Sequence, residues 1–226
     1  ATGGGTADDY IMMAQARSRL PFFPDVLNTD GHLSVVSPST GMVRVPAGLD
    51  FIHRGIYRVT TAQTDFPTDA SKTYHLRWNP TDGFVLKDLA SGSYNPGSLA
   101  ESHRSFDSTY DDMIVARVVT NSSNAASVTN LINKNRLEMF GETEITQNNP
   151  YENNKKPSEI TGGDIVNINW SRRPKVAIQA MSDIEAQNGQ EFSIGSVVVS
   201  RYQIRNFYQY YALSGLNAAF SYEVWA

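Results

Sequence analysis

The stretch Thr73–Leu86, "TYHLRWNPTDGFVL", decides the fold class. Tyr74, Leu76 and Trp78 alternate with Thr73, His75 and Arg77, which is the period of a strand and not of a helix. The first three side chains then share an apolar face, and the other three share a polar one. Asn79–Gly83 contributes Asn, Pro, Asp and Gly, the residues of a tight turn, and a second apolar run follows. The pattern predicts a β-hairpin. His75, on the polar face, is expected at the surface.

The same pattern extends in both directions. "HLSVVSPSTGMVRVPAG" (32–48) holds two apolar runs around Ser37–Gly41 and reads as another hairpin, and "RGIYRVTT" (54–61) adds a strand. "MIVARVVTN" (113–121) is almost continuously apolar, as a strand covered on both faces would be. Beyond it come "RLEMFGETEI", "DIVNINW", "PKVAIQAM", "EFSIG", "SVVVSRYQI" and "AAFSYEVWA". Short strands at this spacing predict an antiparallel β-sandwich. Leu89–Tyr110 and Gln147–Gly163 read as long irregular segments, and Asn121–Asn135 as a linker. The expected organisation is therefore a β-rich unit over 1–134 with a flexible start, then a sandwich over 135–226. One short helix is expected over Asp8–Leu20, ended by Pro21 and Pro24.

Composition limits the function classes. Forty per cent of the 226 residues are hydrophobic, enough for a real core, while only 19 per cent are charged. A formal net charge of −4 does not attract a phosphate backbone, so nucleic acid is not an expected partner. With no cysteine there is no disulfide, thiol nucleophile or Cys-ligated zinc. No apolar run is long enough for a spanning helix. The start, "ATGGGTADDY", lacks the regions of a signal peptide and reads as a chain that has lost only its initiator Met.

Motifs for covalent chemistry do not appear. There is no HExxH, GxSxG, P-loop or GxGxxG, and no local pair of carboxylates is nominated for glycoside hydrolysis. Asp107, Asp111 and Asp112 could hold a hard cation, but their spacing is not that of an EF-hand. A turn leading into the Met113 strand explains them more simply. No cofactor and no metal is expected, and the chain reads as a non-enzyme.

The most distinctive chemistry is at the end. Asn206–Ala226, "NFYQYYALSGLNAAFSYEVWA", contains seven aromatic residues. Strand parity puts Phe220, Tyr222 and Val224 on one face, expected in the core, and Ser221, Glu223 and Trp225 on the other. Trp225 is thus a candidate subunit contact. Arg201, Tyr202, Arg205, Phe207 and Tyr208 combine rings with guanidinium forks, a mixture that suits either sugar or protein. They are the ligand candidates. Tyr210 and Tyr211 are interface candidates, and the sequence leaves both uses open.

Two stretches carry a family resemblance. Residues 73–121, "TYHLRWNPTDGFVL…MIVARVVTN", resemble a segment of virion tail proteins of tailed bacteriophages and prophages, over about a fifth of the chain. Residues 173–226 look like the end of an H-type-lectin-like β-sandwich. A strand begins after Pro174, an "SD" turn follows at Ser182 and Asp183, and the chain closes with F-x-Y-x-V-W-A. The resemblance implies a structural phage-tail part, in a fibre or baseplate, located in the virion. It implies a homotrimer with other tail proteins as partners, and Asp183 with the Arg201–Tyr202 region as candidates for host surface polysaccharide. The alternatives are a tail-tip or fibre-adaptor protein that touches only virion proteins, and a polysaccharide depolymerase.

Overall fold

The computed structural model describes residues 24–109, 111–132, 138–147, 164–180, 192–210 and 216–225. It is mainly β, with every strand pair antiparallel.

The hairpin that decided the class is present as β7 (Thr73–Asn79) and β8 (Gly83–Asp88), with Trp78 opposite Phe84. Its turn closes because the Asn79 side-chain oxygen accepts the Thr81 and Asp82 amides at 2.9 and 2.8 Å. Gly83 takes a φ of +68°, which a side chain would resist. On the far side of β7 lies β9 (Met113–Thr120), followed by β10 (Ala126–Asn130), giving a four-stranded sheet in the order β10-β9-β7-β8.

This sheet corrects two expectations. Residues 126–130 form a paired strand, so 121–135 is not simply a linker. Asn121 turns the chain by accepting the Ser123 and Ala125 amides, and polar residues on β10 serve an edge strand. Second, His75 is fully buried. The polar face of β7 is covered because the loop Leu89–Thr109 folds back across it. Tyr94 and Phe106 lie against the imidazole, at centroid distances of 5.7 and 5.3 Å.

Two smaller sheets complete the first part. One joins β2 (Val36–Ser39), β3 (Met42–Val45) and β6 (Thr64–Pro67) in the order β2-β3-β6. The other joins β1 (Asp25–Val26), β4 (Asp50–His53) and β5 (Tyr57–Thr60) in the order β1-β4-β5. Strands β4 and β6 have no counterpart in the sequence reading. All three sheets share one core that includes Val43, Phe51, Leu76, Trp78, Met113 and Val118. Phe51 meets Trp78 edge-on at 5.2 Å, and burying each such ring stabilises by roughly 1.5–3 kcal/mol.

The remaining strands are β11 (Glu138–Gln147), β12 (Asp164–Asn167), β13 (Lys175–Ala180), β14 (Phe192–Ser200), β15 (Gln203–Tyr210) and β16 (Leu216–Trp225). They form sheets in the orders β11-β16-β13 and β12-β15-β14. Buried Ile168, Trp170, Ile204 and Val224, with Val176, Val198 and Tyr222 against them, draw on both sheets for one core. Strand parity at the C-terminus agrees where side chains are described: Tyr222 and Val224 turn inward and Glu223 outward. The expected helix over Asp8–Leu20, the boundary between residues 134 and 135, and the segment 148–163 lie outside the described residues. No helix among the described residues is long and apolar enough to cross a membrane.

Candidate functional site: a buried ionic junction

Arg201 and Tyr202 form the two-residue turn between β14 and β15. A register shift at Val198–Ser200 precedes them, and the Ser200 hydroxyl accepts the Tyr202 amide at 3.1 Å. The turn is held from its own side by Trp170 and Ile168, whose amides donate to the Arg201 and Tyr202 carbonyls, each at 2.8 Å. It projects both side chains toward β7, β9 and the loop that covers β7.

Arg201 is fully buried. Its guanidinium donates to the Glu101 carbonyl at 2.8 Å and the Tyr202 hydroxyl at 3.0 Å, and reaches Asp107 Oδ1 at 3.3 Å. It also stacks over the Tyr202 ring, 4.6 Å from the centroid. The Glu101 carboxylate is gripped in a fork by Arg117, through Nε and through NH2 at 2.8 Å, and receives the Tyr202 hydroxyl at 3.1 Å. Beside it, Arg77 donates to Asp112 at 2.6 Å, to the Phe106 carbonyl at 2.9 Å and to the Tyr94 hydroxyl at 3.2 Å. Next to this network, the Ser108 amide donates to the Ser171 carbonyl at 2.8 Å, and Arg173 donates to the Ser102 carbonyl at 2.7 Å.

His75 sits at the centre. Its Nδ1 is 2.8 Å from the Tyr94 hydroxyl, and its Nε2 faces Arg201 at 3.4 Å. Nε2 also lies 3.7 Å from the Glu101 carboxylate, so it accepts from Arg201 in one tautomer and donates toward Glu101 in the other. Burial lowers the His75 pKa, and the charges of Arg201 and Arg77 lower it further against the pull of Glu101. The imidazole is therefore neutral at physiological pH. Burial alone would raise the Glu101 pKa, but hydrogen bonds from His75, Arg117 and Tyr202 outweigh it and hold the carboxyl at about 2. Burial and the neighbouring carboxylate push the Tyr202 phenol up to about 12, with Arg201 opposing. These contacts fix the side chains relative to one another.

The residues nominated from sequence separate on the structure. Arg201 is enclosed and offers no surface, while Tyr202 is half-buried and bonded to Glu101. Arg205 lies on β15 between Ile165 and Val197. Phe207, Tyr208 and Tyr210 lie in β15, the middle strand of its sheet, opposite Gly195, Ile194 and Phe192. Trp225 lies on β16, in register with Glu138 and Lys175. Asp183 and Tyr211 lie outside the described residues. Asp107 and Asp112 face different arginines, and among the described residues no three His, Asp or Glu side chains gather for a metal ion.

Sequence reasoning missed Glu101, Asp107, Tyr94 and Arg117 as a set. One signal was available. Arg117 interrupts an otherwise apolar strand, and a charge there requires a partner. Comparison of the chain with protein-family models, with curated proteins and with solved structures finds no match.

Proposed function

We propose that the chain is a non-enzymatic, oligomeric structural component of a bacteriophage tail, acting as an adaptor between virion proteins. The observation that carries this reading is the ionic junction. The segment that resembles phage tail proteins, residues 73–121, supplies His75, Glu101 and Asp107, which contact the Arg201–Tyr202 turn of the later strands, and Arg117, which grips Glu101. The charged groups of the junction are paired with one another. A part that transmits position within a particle needs such a fixed connection between its two ends. Ile56 and Tyr57, 73 and 61 per cent exposed at the β4–β5 turn, suit a protein that works inside an assembly.

The last six strands are read as a trimerising β-sandwich. Burial of Arg201 and pairing of Phe207–Tyr210 into a central strand favour the adaptor over a receptor-binding use of that stretch. The test is immunogold labelling of purified tailed particles with antibody to this chain. Decoration of the tail is expected, and particles free of the chain would refute the reading. Binding of the isolated oligomer to purified tail protein, and none to host envelope, separates adaptor from adhesin.

A further inference from the structure

Beside the junction lies a cleft of about 510 Å³ that the ionic network does not fill. Its walls come from distant parts of the chain: Arg104, Ser105 and Thr109 from the covering loop, Arg172 and Arg173 from the segment after β12. Arg104 and Ser105 belong to a single 3-10 turn, Arg104–Phe106. Asp107 also lines the cleft.

The charge balance in this cleft opposes that of the whole chain. Arg201, fully buried, faces Asp107 from beneath at 3.3 Å, and Arg173 approaches the same carboxylate at 3.6 Å. One carboxylate thus meets two guanidiniums before Arg104 is counted, whereas the chain carries a formal net charge of −4. Of the nearby acids, Glu101 is engaged on Arg117 and Asp112 on Arg77. Arg173 is anchored through the Ser102 carbonyl, and its buried Nε, the atom nearest Asp107, makes no hydrogen bond among the described residues. Arg104 is exposed and has no ion-pair partner among the described residues. Hydroxyls of Ser105 and Thr109 stand exposed on the same wall.

We propose that this cleft is an oxyanion-binding site, taking a phosphate or carboxylate group carried on a sugar-sized polar molecule. Guanidinium forks match either oxyanion, and the loop hydroxyls offer donors and acceptors to neighbouring sugar hydroxyls. The volume exceeds that of a bare anion and falls in the range of small-molecule sites, and none of the described lining residues is aromatic. The site stands independently of where the protein sits in a particle.

Isothermal titration of the full chain at low ionic strength tests it, with glucose 6-phosphate, glucuronate and neutral glucose as probes. Saturable binding of at least one anionic probe, with none of glucose, is expected, and the stronger one identifies phosphate or carboxylate. Arg104→Gln, an exposed position, should weaken that binding about tenfold with melting unchanged, as loss of one charged hydrogen bond implies. Arg58→Gln, a change to an exposed arginine outside the cleft, should leave it unaltered. Absence of saturable binding, equal binding of glucose, or equal affinity in Arg104→Gln and wild type would overturn the proposal.

Discussion

Replacing Glu101 with Gln removes one charge from the junction and leaves its shape. Two groups lose their anionic partner: Arg117 and the Tyr202 hydroxyl. The carboxyl is held at about 2 in place of its ordinary 4.5, which corresponds to about 3 kcal/mol of stabilisation at neutral pH. Because the folded pKa is depressed, this stability is fully present above pH 4.5 and is lost as pH falls toward 2. At pH 3 the remaining contribution is about 1.4 kcal/mol. For a chain of this size, the neutral-pH loss should lower the melting temperature by roughly 6–12 °C. Calorimetry of wild type and Glu101→Gln at pH 7, 4 and 3 measures it. The gap should be widest at pH 7 and shrink steadily below pH 4.5. A variant melting within about 2 °C of wild type at pH 7, or a gap that does not narrow in acid, would show that the Glu101 charge does not hold the junction.

Three further outcomes are expected. His75 is buried with a lowered pKa, so below 6.5 the unfolded chain takes up a proton that the native chain refuses, and stability falls with pH; the urea midpoint of His75→Gln should change less than that of wild type between pH 7 and 5.5. Asn95→Ala deletes three side-chain hydrogen bonds, to the Leu89 and Leu99 carbonyls and from the Leu99 amide, at 3.2, 3.0 and 2.8 Å. It should cost about 1–3 kcal/mol and speed amide exchange across residues 89–100, read by mass spectrometry. Gly141 pairs with Tyr222 across β11 and β16, and a Cβ there would overlap the tyrosine ring. Gly141→Ala should therefore cost about 1–3 kcal/mol in thermal unfolding, and unchanged melting would contradict the close approach.

Strand character was legible wherever local pattern has a local cause. Alternation in Thr73–Trp78, the Asn-Pro-Thr-Asp-Gly turn and the apolar run at Met113 each report how a few neighbouring residues bury themselves, and each appears as read. Parity also assigned Tyr222, Glu223 and Val224 correctly, because a strand offers only two faces. The junction was not legible. Its members come from β7, a loop, β9 and a turn, and Arg201 lies 126 residues from His75. No short-range rule could state that the Leu89–Thr109 loop covers the polar face of β7.

His75 and Arg201 show the difference most directly. By sequence the first was a surface histidine and the second a ligand-facing arginine; in the folded chain they face each other at 3.4 Å, both fully buried. The sequence by itself determined that the chain is mainly β, where its principal turns fall, and which positions alternate. Tertiary structure decided which polar faces stay wet, because burial of a charge depends on whether distant segments bring a counter-charge and enough hydrogen-bond partners to replace water. Here Asp107, the Glu101 carbonyl and the Tyr202 hydroxyl do so for Arg201, and that contact between distant segments makes the junction.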